Sequence, residues 1–371
     1  MAHDKYKIIL SGGGTGGHIY PAAAVAEALR NELGDRLELL FVGAQGKMEM
    51  EKIPALGYKI VGLPVAGLQR RLDIKNLALP FKVAQSVRKA KQIIREFEAD
   101  AVAGFGGYAS APILWAAQSK GIPTLIQEQN SYAGVTNKIL SRRAKRICVA
   151  YKDMERFFPA DRIIYTGNPL RGNFGKPSSR EEALKYFGLE ESKPTLLIVG
   201  GSLGTRTLNE AMKLHADRIG TENEIQIIWQ TGKYYEKEMT EFMQQRKYDN
   251  IWHGAFIERM DYAYAAADAV ISRSGACSVS ELELEGKAVI FVPSPNVAED
   301  HQTKNARALS DRNAALMIPD SEAVEKAIPA AENLLKNSSQ RKVLEQNIKC
   351  LATPDAARDV AREIIKLIVK Q

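Results

Sequence analysis

The segment K-I-I-L-S-G-G-G-T-G-G-H, residues 7–18, places a glycine-rich turn directly after an apolar, strand-like run. The same arrangement recurs in A-V-A-G-F-G-G-Y, which ends at Tyr108, and in T-L-L-I-V-G-G-S-L-G-T, residues 195–205. Glycine permits positive φ angles and close approach of a ligand to main-chain N–H groups, and a following helix directs its positive dipole end to the same point. Each turn therefore predicts an anion site, and their spacing predicts two similar domains that share a cleft and hold a phosphorylated ligand.

The length and the alternation of apolar runs predict the domain organisation. With 371 residues, the chain exceeds the size of one ordinary core. Strand-like and helical stretches alternate on both sides of the Gly- and Pro-containing segment 167–177, which we interpret as a linker, and such alternation predicts α/β domains with parallel sheets. We expect an N-terminal domain over residues 1–168, a C-terminal domain over residues 169–354, and a last helix at about 355–371 that packs back on the first domain.

Composition excludes several classes of protein. The strand pattern begins by Lys7, so we expect no signal peptide, and no apolar run approaches the roughly 20 residues that span a bilayer. The cysteines, Cys148, Cys277 and Cys350, lack the spacing of metal ligands. We therefore expect a reducing, cytosolic location with structural cysteines.

The net charge of +7 is concentrated in the first half of the chain, where residues 69–96 and 138–146 are strongly basic. Such asymmetry predicts an anionic partner, either nucleic acid or a lipid surface. In residues 70–82 apolar side chains interleave with the charges, as in an interfacial anchor, although an ordinary amphipathic helix also fits. Phe81 is the one aromatic residue in these stretches, which disfavours base stacking and hence nucleic acid. The candidate membrane patch comprises Arg70, Arg71, Leu72, Lys75, Leu79 and Phe81.

The first turn also satisfies the dinucleotide-binding fingerprint G-x-G-x-x-G through Gly12, Gly14 and Gly17. That fingerprint requires an acidic residue at the end of the second strand to bind the ribose. The second strand-like run ends F-V-G-A-Q, residues 41–45, without a carboxylate. The nicotinamide interpretation is therefore disfavoured.

The second half contains a stronger nucleotide signature, R-S-G-A-C-S-V-S-E, residues 273–281. Its turn follows a strand and opens a helix, so the N–H groups of residues 276–278 are expected to face a diphosphate and Glu281 to accept hydrogen bonds from a ribose. Alternatively, Ser274 and Ser278 only cap the helix, and Glu281 completes a capping box with Ser278. Further on, residues 299–306 offer Gln302 and Asn305 as partners for sugar hydroxyls.

Taken together, the motifs resemble a known family over essentially the whole chain. In order they are G-G-T-G-G-H, F-G-G-Y, E-Q-N, G-N-P-x-R, G-G-S-x-G, F-I-x-x-M, R-S-G-A-x-x-V-S-E and D-x-Q-x-x-N-A. They resemble the MurG family of bacterial transferases. The resemblance implies a GT-B fold, with two Rossmann-like, doubly wound domains facing across a cleft. It implies that the C-terminal domain binds the donor and that the N-terminal domain binds the acceptor and the membrane.

The resemblance also implies the reaction and its setting. The enzyme would move N-acetylglucosamine, with inversion, from UDP-N-acetylglucosamine (UDP-GlcNAc) to the 4-hydroxyl of N-acetylmuramic acid in undecaprenyl-diphospho-N-acetylmuramoyl-pentapeptide (lipid I). The products would be lipid II and UDP, for peptidoglycan synthesis and hence cell shape and division. The implied location is peripheral, on the cytoplasmic face of the bacterial inner membrane. The expected partners are UDP-GlcNAc, lipid I and the anionic membrane surface, with other cell-wall enzymes as candidates.

Binding roles follow from the same resemblance. Arg171 and Ser202 would meet phosphate, the backbone of Ile257 would bind uracil, and Gln302 would hold the sugar. Glu281 would bind the ribose, and the nucleotide would be lined by Ala276, Cys277, Ser278, Val279, Ser280 and Glu281. The sugar pocket would be completed by Thr15, Gly16, Gly17 and Asn130, and the acceptor side formed by Gly106, Gly107 and Tyr108. The chain departs from the family at Thr303, where a second glutamine is common, and at Gln127, where histidine is common.

Direct displacement at the anomeric carbon needs a base and a positive field for the leaving diphosphate. The chain has no Asp-x-Asp motif after a strand, so we expect neither metal nor cofactor, and Arg171, Ser202 and the helix after Gly275 would supply the field. His18 is the favoured base, because few residues in the turns titrate and a helix N-terminus favours the neutral ring. Alternatively, His18 only hydrogen-bonds phosphate or acceptor. Glu128 is the second candidate, with an ion pair or backbone anchor beside Asn130 as its alternative role.

The donor motifs alone would also fit another GT-B enzyme, such as a diacylglycerol glycosyltransferase or a UDP-GlcNAc epimerase. G-G-T-G-G-H together with F-G-G-Y and E-Q-N favours lipid I as the acceptor.

Overall fold

The computed structural model describes residues 5–65, 79–171, 174–175 and 178–369, with the side chains of residues 79–81 and 298 left aside. The chain divides into two compact units, Met1–Arg171 with Asp355–Gln371, and Gly172–Pro354. The division falls after Arg171 rather than after Asn168. Of the candidate membrane patch, residues 70, 71, 72 and 75 lie outside the described residues, and residues 79 and 81 are described by their backbone alone.

The first unit alternates strands and helices, as its apolar periodicity predicts. The elements up to residue 165 are β1 (Tyr6–Ser11), α1 (Gly16–Leu33), β2 (Leu37–Ala44), α2 (Glu49–Ala55), β3 (Ile60–Leu63), α3 (Leu79–Phe97), β4 (Ala101–Gly104), α4 (Ser110–Ser119), β5 (Thr124–Glu128), α5 (Val135–Ser141), β6 (Arg146–Val149) and β7 (Ile163–Tyr165). Within the described residues they form a seven-stranded parallel sheet in the order β3-β2-β1-β4-β5-β6-β7. The central strands are buried on both faces, which explains their continuous apolar runs.

The strand order reverses between β1 and β4, which pair with Ser11 opposite Gly104. Connections leave neighbouring strands in opposite directions at such a switch point and open a crevice at the carboxyl ends of the strands. The first two glycine turns follow β1 and β4, and the E-Q-N segment begins at the last residue of the neighbouring strand, β5. The sheet therefore brings three distant segments to one edge.

The second unit repeats this plan. Its elements are α6 (Arg180–Phe187), β8 (Thr195–Val199), α7 (Arg206–Glu222), β9 (Gln226–Gln230), α8 (Glu236–Gln244), β10 (Ile251–Gly254), α9 (Met260–Ala266), β11 (Ala269–Ser272), α10 (Ala276–Glu285), β12 (Val289–Phe291), α11 (His301–Ser310), β13 (Leu316–Met317), α12 (Asp320–Lys336) and α13 (Ser338–Lys349). Six parallel strands among the described residues follow the order β10-β9-β8-β11-β12-β13. The switch point lies between β8 and β11, where the third glycine turn meets the R-S-G-A segment.

The last helix, α14 (Ala356–Val369), belongs to the first unit. It packs on α1, β4 and β5 and buries Val360, Ala361, Ile364 and Ile368 in the same cluster as Ile8 and Leu10 of β1. Burial of one large aliphatic side chain contributes about 1.5–3 kcal/mol. The amphipathic pattern of residues 356–369 therefore covers one face of the first sheet.

Candidate active site

The first two glycine turns enclose the ring of His18, which lies in the first turn of α1. Gly106 and Gly107 have φ angles of +87° and +77°, which favour glycine. A Cβ on Gly106 would stand 3.1 Å from Nε2 of His18, and a Cβ on Gly107 would stand 3.2 Å from Nδ1. The F-G-G-Y turn therefore lacks side chains at the places where the imidazole packs, and the ring of Tyr108 lies against Gly14 of the first turn.

The hydrogen bonds of His18 determine which ring nitrogen carries the proton. Nδ1 lies 3.0 Å from the carbonyl oxygen of Gly13 and 3.3 Å from Oγ1 of Thr15. A carbonyl oxygen can only accept, so Nδ1 carries the hydrogen in the neutral ring. Nε2 then keeps its lone pair and has the chemistry of a proton acceptor.

Glu128, the second candidate base, is 2% exposed and its carboxylate is surrounded by donors. Oε1 accepts from the backbone N–H of Asn130 at 3.1 Å and from its side-chain amide at 3.3 Å. Oε2 accepts from the N–H of Gly134 at 3.0 Å and from the side chain of Asn137 at 2.9 Å. These contacts are those of a backbone anchor, the alternative role considered from the sequence.

The glutamines beside Glu128 are also internal. Gln127 is fully buried and hydrogen-bonds the side chain of Gln129. Gln129 donates to the carbonyl of Phe105 at 2.8 Å and so connects the end of β5 to the F-G-G-Y turn. Thr15 is exposed at the N-cap of α1, Gly16 and Gly17 begin that helix, and Asn130 is half-buried after β5. Their roles toward a donor sugar stay predictions.

Glu49, at the start of α2, is a residue of this edge that sequence reasoning missed. It is 0% exposed, and its carboxylate accepts from the N–H of Gly14 at 3.0 Å and from the N–H of Ala44 at 2.9 Å. The Gly14 N–H is therefore bound by an internal carboxylate, whereas within the described residues no side chain caps α1, which begins at Gly16. An acidic residue opening the helix after the second strand was the available signal.

In the second unit, Arg273 ties the switch-point loops together. Its side chain is 13% exposed. Nε donates to Oγ1 of Thr205 at 3.3 Å, Nη1 donates to the carbonyl of Val292 at 2.7 Å, and the guanidinium pairs with Asp320 at 2.6 Å. Burial lowers the pKa of Arg273, and the pairing with Asp320 opposes that shift. Arg273 thus holds the turn before α7 against the loop that opens α10, while Ser202 stays exposed in that turn.

The N-terminus of α10 differs from that of α5, although both N-caps are extended glycines. Gly134 of α5 donates to Glu128. At Gly275 of α10, in the described part of the chain, no side chain caps the helix, the first turn has no acidic residue, and a Cβ would meet nothing within 4 Å. Ser278 lies inside the helix rather than at the N-cap, so the capping-box alternative is wrong.

Glu281 lies further along α10, half-buried, with Oε2 accepting a 3.1 Å hydrogen bond from the hydroxyl of Tyr264. Tyr264 is buried, and burial raises its own pKa well above the usual value. Burial also raises the pKa of Glu281 to about 7; the hydrogen bond from Tyr264 opposes this shift and the charge of Glu285 adds to it. Glu281 therefore has one carboxylate oxygen oriented by the protein and titrates near neutrality.

Other predicted contacts fall into two groups. Cys277 and Ser278 are half-buried, whereas Ala276 and Ser280 are nearly buried and Val279 is fully buried, so the side chain of Val279 packs in the core rather than lining a nucleotide. Ile257 is buried as well, which leaves its backbone for the predicted uracil contact. Arg171 is part of the first unit, 3.9 Å from Glu27.

The two residues of α11 that were predicted to contact sugar, Gln302 and Asn305, also differ in their surroundings. Oε1 of Gln302 accepts from the N–H of Ser294 at 2.9 Å, and its carbonyl accepts from the hydroxyl of Ser274 at 2.8 Å. Asn305 is fully buried and donates to the carbonyl of Ser274 at 3.2 Å. Asn305 therefore supports the loop before α10, and the expectation that it contacts sugar is wrong.

Metal-binding clusters and membrane-spanning helices are both absent from the described ranges. Among those residues, no group of three or more histidine, cysteine, aspartate or glutamate side chains could hold a metal ion. No helix within them is both long and apolar enough to cross a membrane.

Comparison with known proteins assigns the class. Residues 8–149 match the glycosyltransferase family 28 N-terminal domain, and residues 195–364 match the glycosyltransferase family 28 C-terminal domain. The protein is therefore a hexosyltransferase built from two Rossmann-like domains, the GT-B architecture expected from the motifs.

Individual relatives agree with this class. The UDP-N-acetylglucosamine–N-acetylmuramyl-(pentapeptide) pyrophosphoryl-undecaprenol N-acetylglucosamine transferase of Parabacteroides distasonis is 51% identical over 368 residues, 99% of this chain and 100% of that relative. The crystal structure of Acinetobacter baumannii MurG is 30% identical, with a TM-score of 0.78 over 98% of this chain and 99% of that one. The chain belongs to glycosyltransferase family 28. The resemblance to the MurG family is confirmed.

A more distant match concerns the fold alone. UDP-GlcNAc 2-epimerase from Neisseria meningitidis, bound to UDP-GlcNAc, has a TM-score of 0.66 over 97% of this chain and 100% of that one, at 12% identity. The epimerase alternative is therefore supported by a shared fold alone, whereas the transferase assignment is supported by relatives of high sequence identity.

Proposed function

We propose that the protein transfers N-acetylglucosamine from UDP-GlcNAc to the 4-hydroxyl of the N-acetylmuramoyl group of lipid I, with inversion, and releases UDP. The observation that carries this proposal is the N-terminus of α10, which opens within the nucleotide signature of residues 273–281. In the first unit, Glu49 accepts from the N–H of Gly14, and Glu128 accepts from the N–H groups of Asn130 and Gly134. In the second unit, no side chain of the described ranges caps the N-terminus of α10, and a Cβ on Gly275 would meet none of their atoms within 4 Å. A diphosphate is therefore favoured at α10, where the helix dipole stabilises negative charge.

The remaining donor groups are assigned to residues that the family resemblance implies. The free oxygen of the Glu281 carboxylate would accept from the ribose diol, since Tyr264 holds the other oxygen. Ser202, in the exposed turn before α7, and Arg171 would donate to the phosphates, and the side-chain amide of Gln302 would donate to a sugar hydroxyl. The backbone of Ile257 would read the uracil edge. These donors supply the field for the departing diphosphate, so we propose transfer without a metal ion.

Proton transfer is assigned to His18. Its Nε2 would take the proton of the acceptor hydroxyl as the oxygen attacks the anomeric carbon and the bond to the β-phosphate oxygen breaks. UDP then leaves with the bonding electron pair, and the proton remains on the imidazole until solvent removes it. Gly106, Gly107 and Tyr108 would shape the acceptor side, because they surround the ring of His18 and the first turn. Glu128, with its carboxylate saturated by donors, supports the loop rather than the chemistry.

Membrane contact is assigned to the basic, apolar segment of residues 70–82, and the proposed location is peripheral, on the cytoplasmic face of the inner membrane. A polyprenyl-linked acceptor resides in the bilayer, so an enzyme that uses it gains from electrostatic attraction to anionic lipids. The charge asymmetry of the sequence supports this assignment.

The deciding experiment is UDP release from UDP-GlcNAc with no acceptor, with a lipid I analogue, and with diacylglycerol. We expect release that depends on the lipid I analogue and a β-1,4-linked disaccharide product. Release with diacylglycerol alone would instead indicate a glycolipid synthase. Conversion of UDP-GlcNAc to its 2-epimer without acceptor would contradict the transferase assignment. The Glu281→Gln variant serves as the donor-site control.

A further inference from the structure

The carboxylate of Glu49 lies in a pocket formed by three glycines, Gly13, Gly14 and Gly43. A Cβ on Gly13 would overlap Oε1 of Glu49, and a Cβ on Gly43 would stand 2.6 Å from its Cγ. Oε2 accepts from the N–H of Gly14 at 3.0 Å, and Oε1 accepts from the N–H of Ala44 at 2.9 Å. Side chains at positions 13 and 43 would expel the carboxylate. The glycines of the first turn therefore accommodate an internal anion.

The hydrogen bond to Gly14 acts on the same peptide group that binds His18. The carbonyl of Gly13 and the N–H of Gly14 are the two ends of one planar peptide unit. The N–H end donates to Oε2 of Glu49, and the carbonyl end accepts from Nδ1 of His18 at 3.0 Å. One rigid plane thus connects the buried carboxylate to the imidazole.

This peptide needs an anchor because glycine stands on both sides of it. Gly14 has a φ angle of +85°, and glycine passes between such conformations at little cost. If the peptide rotated by half a turn, its N–H would point toward Nδ1 of His18. Nδ1 would then have to accept, the ring proton would move to Nε2, and Nε2 would lose its lone pair.

We propose that Glu49 is a positioning residue that sets the tautomer of His18 through the Gly13–Gly14 peptide and keeps Nε2 a proton acceptor. The proposal rests on the assignment of His18 as the base. It also gives the first glycine turn a role other than phosphate binding, since the anion that its Gly14 N–H binds is part of the chain.

The direct test is the tautomer of His18, read by 15N chemical shifts of the imidazole in the wild type, Glu49→Gln and Glu49→Ala. The chain has 5 histidines, so the signals can be assigned by single replacements. We expect the hydrogen on Nδ1 in the wild type and a shift toward the Nε2–H form in both variants. Glutamine fills the same space but cannot accept from both N–H groups with its NH2 end. A wild-type tautomer retained in both variants would overturn the proposal.

Kinetics provide the second measurement. We expect both variants to lower kcat on the order of 10–100-fold, the range seen when a group that orients a metal-ligating imidazole is removed. The KM for UDP-GlcNAc should stay within about twofold, because the proposed donor contacts of α10 are untouched. Formate should restore part of the lost kcat in Glu49→Ala, since it fits the pocket that the Glu49 carboxylate occupies in the wild type. The matched control is Asp100→Ala, which removes a carboxylate that accepts from the N–H of Lys7 at 2.7 Å.

Asp100→Ala should keep its kcat and show no response to formate.

Failure of the positioning role of Glu49 and failure of the proposed function give different results. Normal kcat in His18→Ala would remove the base assignment, while the tautomer measurement would still decide whether Glu49 sets the state of the ring. An inactive His18→Ala together with unchanged kcat in both Glu49 variants would leave the base in place and refute the positioning role. Thermal unfolding of each variant identifies any loss of activity that comes from misfolding.

Discussion

Donor binding should depend on pH through Glu281, because burial raises the pKa of this carboxyl to about 7. The ribose diol donates two hydrogen bonds, and the ionised carboxylate accepts them best. At pH 6 roughly one tenth of a group with this pKa is ionised, and at pH 8 roughly nine tenths. Affinity for UDP-GlcNAc should therefore be about tenfold weaker at pH 6 than at pH 8. The diphosphate diester of this donor does not titrate in that range, so the change reports on the protein.

The assay is calorimetric titration of UDP-GlcNAc into wild type, Glu281→Gln and an exposed control, Glu241→Gln on α8. Loss of the charged acceptor should cost about 2–3 kcal/mol of binding free energy, or roughly a 30–150-fold rise in Kd. The Glu281→Gln profile should also be flat between pH 6 and 8, whereas the control should follow the wild type. Equal donor affinity at both pH values in wild type, with an unchanged Kd in Glu281→Gln, would refute the ribose assignment.

The same carboxyl gives an independent stability signal. Its folded pKa of about 7 lies above the ordinary value of 4.5, so the unfolded chain ionises first as pH rises. The stability contribution is complete below about pH 4.5 and is lost as pH rises to about 7, by an amount on the order of 3 kcal/mol. Glu281→Gln should remove this dependence, so its free energy of unfolding relative to wild type should rise between pH 5 and 8. Chemical denaturation at several pH values measures it.

Three further predictions concern other parts of the chain. His18→Ala should lower kcat by roughly 100-fold or more and abolish the acid limb of kcat measured at saturating donor, where the pH dependence of donor binding through Glu281 no longer limits the rate; a retained limb would assign the base elsewhere. Reversing Arg70, Arg71 and Lys75 to glutamate should weaken sedimentation with anionic vesicles, as should raised salt, and binding indifferent to both would make the segment an ordinary solvated surface. Tyr264→Phe should move the pH midpoint of donor binding upward, because the hydrogen bond from Tyr264 favours the ionised form of Glu281 and the variant lacks it. An unmoved midpoint would contradict the effect of Tyr264 on the pKa of Glu281.

Much of the fold followed from local patterns. Continuous apolar runs before each glycine turn predicted buried parallel strands, and β1, β4 and β8 coincide with those runs. The short strands β3 and β7, of 4 and 3 residues, were not predicted from the sequence, because so few residues carry no periodicity. The order of the motifs also indicated the family. These motifs are local, because glycine occurs where the backbone of each turn needs it.

The sequence by itself therefore determined the fold class, the family and the position of each loop at a strand end. It could not determine which backbone N–H groups at those strand ends bind side chains of the chain itself. Glu49 and Gly14 are separated by 35 positions, and Glu128 reaches forward to Gly134 and Asn137 across the loop before α5. Only the parallel sheet brings the first pair together, because it collects the carboxyl ends of distant strands at one edge. The tertiary structure thereby gave the N–H groups of Gly14 and Gly134 carboxylate acceptors from the chain itself, whereas no side chain among the described residues caps α10.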